Sequence, residues 1–596
     1  MQEISIAPLV AAVPDDNLTD LVVRNAETSP DGIGFSRPSG DGWEDVTWGT
    51  FRDEVVAVAR GLVASGVGPG TRVGLMCKTR YEWTVFDFAV WFAGAVTVPV
   101  YETSAPEQVQ WILSDSGASG ILVETPEHLA TVKEVEGLLP ALVNVWCLDH
   151  GDLERLATLG EDVPPGEIER TRRTATGDSP ATLIYTSGTT GRPKGCCLSH
   201  GNFIDLSRNT EAALPDVFCR PDASTLLFLP LAHVFARFIQ VLCVAAKARL
   251  GHSPDVKNLV EDLGAFRPTF VLAVPRVFEK IYNSAAVTAD ASGRRRVFEL
   301  AATTAVEYSR ALDTGGPPFL LRARHLVFDR LVYSTLRTRL GGQVQYAVSG
   351  GAPLGEDLGH FFRGIGVTIL EGWGLTETTA PAAVNRPGAI RIGSVGKPLP
   401  GVAVRVADDG ELLVRGVNIM TGYHNNPEAT KEAMDDGGWL STGDLGRIDD
   451  DGFVTVTGRK KEIIVTAGGK NVAPAQLEDR LRAHPLVSQC IVVGDQRPFV
   501  ACLVTLDEEM LHTWLTTHNR PSLDLTAAAS DPLVRAEVQD AVTQANAVVS
   551  RAESIRKFLI LETDFTEEHG HLTPKGSLRR KVVLKEFTER IEELYR

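Results

Sequence analysis

Between residues 50 and 150 the chain alternates long helix-patterned stretches, such as Phe51 to Ser65, with short apolar runs: Val73-Gly-Leu-Met-Cys77, Val96-Thr-Val-Pro-Val100 and Gly120-Ile-Leu-Val123. Runs this short, uninterrupted by polar residues and spaced by helix-length segments, are strands buried on both faces, which places them in parallel sheets layered with helices. At 596 residues the chain exceeds what one hydrophobic core supports, so at least two domains are expected. No internal repeat is visible. After residue 400 the texture changes. Val402–Val406 and Glu411–Val414 flank Ala407-Asp-Asp-Gly410 and read as a hairpin closed by an Asp-Gly turn, and a second hairpin follows at Asp451-Gly452. Gly458-Arg-Lys-Lys-Glu462 then leads into the strand-like Ile463–Thr466. The expected fold class is α/β: a large N-terminal domain of several subdomains with parallel sheets and a β-rich portion over residues 1–460, plus a small mobile C-terminal α+β domain over residues 461–596. The polar stretches at about 150–180 and 285–318 read as surface connections or exposed helices.

Charge and cysteine use narrow the function. A formal net charge of −17 disfavours a nucleic-acid surface, and an acidic protein that handles polyphosphates must gather its positive charge locally. The eight cysteines, Cys77, Cys147, Cys196, Cys197, Cys219, Cys243, Cys490 and Cys502, contain no C-x-x-C pair, so neither zinc nor a disulfide framework is expected. They read as small core residues in a reducing, cytoplasmic compartment. The N-terminus lacks a basic start followed by a long apolar stretch, so no secretory signal is expected. Leu226 to Ala246 is the longest apolar region, but Pro230, His233, Arg237 and Gln240 make it a buried, site-lining segment rather than a membrane span.

The chemistry centres on Tyr185-Thr-Ser-Gly-Thr-Thr-Gly-Arg-Pro-Lys-Gly195. Three glycines let the backbone approach a ligand, the hydroxyls of Thr186, Ser187, Thr189 and Thr190 supply donors, and Lys194 supplies charge: together a phosphate-holding loop. It leaves the β-prone Ala181–Tyr185 and does not match GxxxxGK[ST], because Pro193 precedes the lysine and removes an amide. A solvated turn without ligand is the alternative for such composition.

SGTTGRPKG resembles the nucleotide loop of the adenylate-forming superfamily, which comprises acyl-CoA synthetases, adenylation domains of peptide synthetases and beetle luciferases. Further segments resemble the same family in the same order. The resemblance implies ATP or AMP, Mg²⁺ and coenzyme A as ligands, with Thr186, Ser187, Gly188, Thr189, Thr190, Gly191 and Lys194 around phosphate. It implies Gly350, Gly351 and Ala352 beside adenine. In Glu371-Gly-Trp-Gly-Leu-Thr-Glu377 it implies Glu371, Gly372, Trp373 and Gly374 lining the nucleotide, with the Trp373 face against the base, Thr376 on phosphate and Glu377 holding Mg²⁺. Asp444 corresponds to the carboxylate on the ribose hydroxyls and Arg459 to the arginine on ribose or phosphate. Lys461 corresponds to the hinge about which the small domain turns, and Gly468 and Gly469 to a loop lining the pantetheine channel. Pro230-Leu-Ala-His-Val-Phe235 is similar to the acyl-pocket motif and puts His233 near the reacting carboxylate or the thiol path. Val234-Phe-Ala-Arg237 lacks the acidic residue that pairs an amino-acid ammonium, so an apolar acyl chain is expected. Phe270 to Lys280 and the helix before Tyr346 look most like long-chain fatty-acyl-CoA synthetases. The implied partners are a small carboxylic acid and CoA, with no nucleic acid and no integral membrane span.

One position departs from the family. Relatives place a catalytic lysine just before an apolar residue and a basic pair; aligned on Leu578-Arg-Arg580, that slot is Ser577, and a lysine stands two residues earlier at Lys575. Two residues of extended chain displace a Cα by about 6–7 Å. Losing one charged donor at such a transition state costs about 3–4 kcal/mol. The expectation is an acyl-CoA ligase with a weakened adenylation half-reaction and an intact thioester-forming half, with a separate adenylating enzyme as a candidate partner that supplies acyl-adenylate. An acyl-AMP ligase loading a carrier protein and a non-catalytic adenylate-binding protein are the alternatives.

Overall fold

The computed structural model describes residues 2–40, 42–186, 192–573 and 576–596, without the side chain of Val256. The short apolar runs fall where the pattern puts them, as Arg72–Met76, Val96–Val100 and Gly120–Val123. With Asn144–Cys147 and Pro180–Thr186 they pair in parallel, in the order 180–186, 96–100, 72–76, 120–123, 144–147. Two antiparallel strands, Lys194–Ser199 and Gly422–Tyr423, extend the 180–186 edge. Both faces of this sheet are covered. Trp83, Phe86, Phe88 and Trp91 of the helix Tyr81–Phe92 are buried almost completely, and that helix is apolar all round because it sits inside the domain. The helix Trp48–Ala64 packs so closely on Asp152–Leu159 that a Cβ on Gly61 would lie 1.9 Å from the carbonyl oxygen of Leu156. Only glycine fits there.

A second sheet orders Phe270–Ala273, Tyr346–Ser349, Thr368–Leu375, Ala380–Val384 and Lys397–Pro398, the first three parallel and the rest antiparallel. Its helices bury Phe278, Phe298, Tyr333, Phe361 and Phe362 in a core of their own. A smaller sheet of Ser224–Leu227, Arg249–His252, Ile33–Ser39 and Gly42–Thr47 lies alongside. The Asp-Gly turns close hairpins as the composition requires: Val402–Val406 pairs with Glu411–Gly416, and Leu440–Ile448 with Val454–Arg459, all within one antiparallel sheet. Gly410 and Gly452 carry the positive φ of those turns, +84° each.

The C-terminal part has a separate core. Val487–Val493, Val500–Leu506 and Ile555–Ile560 form a mixed sheet, with Leu477, Leu481, Val538 and Val542 buried on one side and Leu561, Val583 and Leu594 on the other. The fold is thus mixed α/β, a large N-terminal region with several sheets and a smaller C-terminal domain. The polar stretches near 150–180 and 285–318 are helices, Asp152–Leu159, Pro165–Arg172, Pro275–Ala291 and Arg295–Asp313. Among the described residues no helix is long and apolar enough to cross a membrane.

Two expectations are corrected. Cys219 is exposed and Cys197 only half-buried, so not every cysteine is a core residue, although all eight are free. Arg237 does not line a site. It is fully buried against Asp87, with its Nε 3.1 Å from Oδ2, and it also donates to Thr182 Oγ1. Trp83 and Trp91 sandwich its guanidinium at 5.4 and 5.2 Å. The apolar helix Val234–Ala246 has no polar surface on which a charged side chain could rest, so its arginine turns into a paired, aromatic-lined slot.

Candidate active site

The hairpin formed by Pro180–Thr186 and Lys194–Ser199 sets Thr186 opposite Lys194, so the residues between them hang at one end of the seven-stranded sheet. Ser187, Gly188, Thr189, Thr190 and Gly191 lie outside the described residues. The foot of the loop is braced. Tyr185 donates to Asp115 Oδ2 at 2.6 Å, the indole of Trp111 donates to the Pro193 carbonyl at 2.9 Å, and Arg192 stacks over the Trp111 ring at 4.5 Å. Burial and the Asp115 partner both push the Tyr185 phenol well above its ordinary pKa, so it stays a neutral donor.

Lys194 projects over the ring of Tyr423, 5.0 Å from its centroid, and Tyr423 in turn donates to Glu377 Oε1 at 2.8 Å. The pairing of Gly422–Tyr423 with Cys196 and Cys197 brings this aromatic to the loop. Sequence reasoning missed Tyr423; a lone Gly-Tyr between polar residues carries no periodic signal.

Glu377 sits in a strained turn. Leaving the strand Thr368–Leu375, the chain makes one turn over Thr376–Thr378, then Thr379 and Ala380 both adopt left-handed backbone, φ 51° and 76°. Such conformations cost about 1–3 kcal/mol each for side-chain-bearing residues and persist where surrounding structure enforces them. Thr378 enforces this one, its Oγ1 accepting from Leu375 N at 2.7 Å and donating to the Ala380 carbonyl at 2.9 Å. Gly374 is obligatory, because a Cβ there would stand 1.6 Å from the Ala380 oxygen.

The same strand presents Trp373, whose Nε1 donates to Asp444 Oδ2 at 2.8 Å, while Arg459 Nε meets Asp444 Oδ1 at 2.8 Å. Asp444 and Arg459 are cross-strand partners in the antiparallel sheet, which fixes their spacing. Burial raises the Asp444 pKa, and the Arg459 charge and the Trp373 hydrogen bond oppose that rise. Both carboxylate oxygens already carry a donor, yet each retains a second lone pair for further hydroxyls. The indole edge is held by Asp444, which fixes the plane of the ring. Three sheets therefore meet here: Lys194 and Tyr423 come from the first, Trp373 and Glu377 from the second, Asp444 and Arg459 from the third.

Gly350, Gly351 and Ala352 follow the strand Tyr346–Ser349. Gly350 is buried with Phe235 against it, whereas Gly351, at φ +84°, and Ala352 are exposed. Glu371 pairs with Ser349 in the ladder and is thereby neighbour to Gly350. Its carboxyl is pushed up to about 8, chiefly by burial, with Glu356 and Asp479 adding repulsion. Gly372 lies between Glu371 and Trp373 opposite Val384. His233 caps the helix Val234–Ala246: its Nδ1 accepts from Phe235 N at 3.2 Å, so in the neutral ring the proton resides on Nε2.

Lys461 is exposed in the single turn Lys460–Glu462. Its neighbour, which sequence reasoning passed over, makes the contacts. Lys460 Nζ lies 2.5 Å from Asp409 and 2.8 Å from Glu411, and the other Glu411 oxygen accepts from Gly443 N at 2.8 Å. Gly468 and Gly469 are exposed at the tip of the hairpin made by Ile464–Val465 and Asn471–Val472, rather than enclosed around a ligand. Near the C-terminus, Thr103 donates to Glu567 Oε1 at 2.6 Å, tying this segment to the loop that follows the strand Val96–Val100. Leu572 and Leu578 form an antiparallel bridge, Thr573 N donates to the Ser577 carbonyl at 2.8 Å, and Ser577 N donates to Thr573 Oγ1 at 3.1 Å. Pro574 and Lys575 lie outside the described residues.

Residues 22–424 match the AMP-binding enzyme family and residues 461–596 match the AMP-binding enzyme C-terminal domain. The chain belongs to the AMP-binding enzymes. Its curated relatives include the long-chain-fatty-acid–CoA ligase FadD15 of Mycobacterium tuberculosis and that of Mycobacterium bovis, each 49% identical over 599 residues spanning 100% of both chains. Among solved structures, the anthranilate CoA ligase AuaEII in complex with anthranoyl-AMP superposes with a TM-score of 0.72 at 21% identity, over 96% of this chain and 98% of that one. The A domain of carboxylic acid reductase from Segniliparus rugosus, in complex with AMP and a co-purified carboxylic acid, gives 0.75 at 21% identity, over 97% and 94%. At such identity these structures speak for the fold. Within the AMP-binding enzymes this chain is an AMP-forming acid–CoA ligase of the adenylate-forming superfamily.

Proposed function

We propose that this ligase joins an apolar carboxylic acid to coenzyme A through an acyl-adenylate. The observation that carries the reading is the meeting of three sheets, which sets Trp373, Asp444 and Arg459 with Glu377, Tyr423 and Lys194 around the foot of a glycine- and hydroxyl-rich loop. In the first half-reaction a carboxylate oxygen of the acid bonds to the α-phosphorus of ATP while the bond to pyrophosphate breaks. In the second, the CoA thiolate attacks the acyl carbonyl and AMP leaves. The chain contributes position and fixed charge. Lys194 and Arg459 face the phosphates, Asp444 accepts from ribose hydroxyls, the plane of Trp373 packs the base, and the Nε2–H of His233 donates toward the acyl carboxylate. Among the described residues no cluster of three or more metal-ligating side chains exists. Mg²⁺ takes one or two carboxylates and completes its shell with phosphate oxygens and water. Glu377 would hold it, and when bound it would neutralise charge on the pyrophosphate leaving group. The fatty-acid ligases among the relatives support a long alkyl substrate.

The division at residues 460/461, with Lys461 as hinge and the Gly468–Gly469 hairpin entering after rotation, belongs to this proposal. The exposure of that hairpin and the Thr103–Glu567 contact favour a resting arrangement in which the C-terminal segment, not the hairpin, faces the nucleotide side. Ser577 favours a weak adenylation step. Its backbone is locked by Thr573 at the base of the bridge, so the slot cannot exchange register with Lys575 without breaking two hydrogen bonds.

Incubation with MgATP, CoA and a panel of acids, with thioester measured by mass, tests the main reading: acyl-CoA, AMP and pyrophosphate are expected for alkyl acids. Formation of no acyl-CoA either from acid and ATP or from synthetic acyl-adenylate overturns it. Discharge only onto a phosphopantetheinyl carrier protein would instead make the enzyme a carrier-loading ligase. Pyrophosphate release that runs as fast as thioester formation from supplied acyl-adenylate overturns the weak-adenylation clause alone.

A further inference from the structure

The helix Phe319–Phe328 stands on the outside of the second core and buries none of its residues completely. Its inner side is nevertheless well fixed. His325 stacks on Tyr308 of the preceding helix, ring centroids 3.9 Å apart, with Nε2 2.6 Å from the Gly364 carbonyl; Arg324 pairs with Glu307; and Tyr333 just beyond donates to the Ala301 carbonyl at 2.7 Å. The helix is therefore held rigidly with a defined outward side.

What it turns outward is apolar. Phe319 and Leu320 are 80% and 81% exposed, and Leu326, Val327 and Leu331 are more than half exposed. At 100° per residue, Phe319, Leu320, Ala323, Leu326 and Val327 fall within an arc of about 120°, while Leu321, His325 and Phe328 fall opposite. Arg322 and Arg324 lie just beyond the two edges of the arc. The antiparallel match of 307 with 324 and 301 with 333 sets exposed Leu300 level with Leu331, lengthening the ridge. Single exposed apolar residues are ordinary; a continuous ridge on a fixed helix is a contact surface.

The charge around the ridge identifies the partner. Residues 317–340 hold five arginines, Arg322, Arg324, Arg330, Arg337 and Arg339, against one acidic residue, Asp329; Arg324 pairs with Glu307 and Arg337 with Asp329, so the local positive excess rests on Arg322, Arg330 and Arg339, in a chain of net charge −17. Such a chain is repelled by an anionic surface everywhere except where basic residues gather. Arginine stems lie along apolar surface and carry their heads to its polar edge, which is the depth of lipid phosphates when an apolar ridge enters the acyl boundary.

We infer that the helix Phe319–Phe328 and its continuation to Leu331 form a docking surface for an anionic lipid bilayer, lying in the interface plane without crossing it. This inference is independent of the ligase reading, because its test contains no substrate. Full-length protein is floated with phosphatidylcholine vesicles, with or without about a third phosphatidylglycerol, at low and high salt. Preferential binding to the anionic vesicles, weakened by salt, is expected. Phe319→Ser with Leu320→Ser removes two large apolar anchors from fully solvated positions and should lower partitioning at least about tenfold with the melting temperature unchanged. Arg322→Gln with Arg330→Gln, which leaves the ridge intact, should lower it about fivefold per arginine on anionic vesicles only. Absence of binding, equal binding to neutral vesicles, or undiminished binding of both double variants overturns the inference. So does a solution mass that halves in the Phe319→Ser, Leu320→Ser variant, which would assign the ridge to a second copy of the chain.

Discussion

Arg237 and Asp87 are both fully buried, and around them Thr182, Gln240 and Thr84 complete a polar cluster joining the helix Val234–Ala246 to the strand Pro180–Thr186. A buried pair of this kind contributes little net energy when intact, but removing one partner strands the other charge. Burial alone already raises the Asp87 pKa and lowers that of Arg237, and each partner opposes the shift of the other. Arg237→Met is expected to cost about 3–5 kcal/mol in urea unfolding, and adding Asp87→Leu should recover part of that loss. Equal stability of Arg237→Met and wild type would mean that Asp87 finds another partner. Asp444 carries a different weight, because its partners are Trp373 and Arg459 at the site. Asp444→Asn keeps the shape but loses charge and one acceptor, and is expected to weaken AMP about 10–100-fold by calorimetry, while leaving the melting temperature within a few degrees. The motif made Asp444 and Arg459 legible in the sequence. Tyr423 and Lys460 were not legible, since each gains its role from a strand pairing or a carboxylate brought close by folding.

The strand Thr368–Leu375 and its turn couple packing to chemistry. Gly374 fits against the Ala380 carbonyl, and the left-handed pair Thr379–Ala380 re-aims the chain so that Glu377 meets Tyr423. Gly374→Ala must displace that carbonyl. It is expected to lower the melting temperature by several degrees and activity by at least about tenfold, with both defects absent in an alanine substitution at the open Gly166. The helical and strand patterns of residues 50–150 were legible because each buried strand is short and continuous. The tight pairing of Gly61 with Leu156 was not, because it depends on which helix lies alongside.

Across the molecule, carboxyls face one another where the C-terminal domain meets the N-terminal one. Arg276 and Lys280 pair with Asp507 and Glu509, while Asp479 lies near enough to Glu279 to be repelled by it, and Glu371 near enough to Asp479. Burial, with repulsion from Glu356 and Asp479, pushes Glu371 up to about 8; burial, with repulsion from Glu478 and Glu279 and opposed by Arg482, pushes Asp479 up to about 7. The share of these rises that comes from carboxyls across the contact, Asp479 on Glu371 and Glu279 on Asp479, is lost when the domains part, so this arrangement binds protons. Its stability is greatest below the ordinary carboxylate range and is lost as pH rises through about 7 to 8. A distance probe between the domains should report closure near pH 6 and opening near pH 9. Glu371→Gln should shift that transition toward Asp479 alone; an unchanged pH midpoint in Glu371→Gln would disprove the assignment.

The order of residue types along the chain was enough to establish layered α/β architecture and a separate C-terminal core, because strand length and turn chemistry act locally; the succession of motifs was read from the family resemblance. Which side chains would meet was settled only by packing three sheets at one junction. That packing turned Arg237 from a site-lining residue into a core ion pair, tied the Trp373 edge to Asp444, and left the ridge from Phe319 to Leu331 facing outward. Long-range contacts depend on the register and crossing of distant elements, and local propensity carries no information about either.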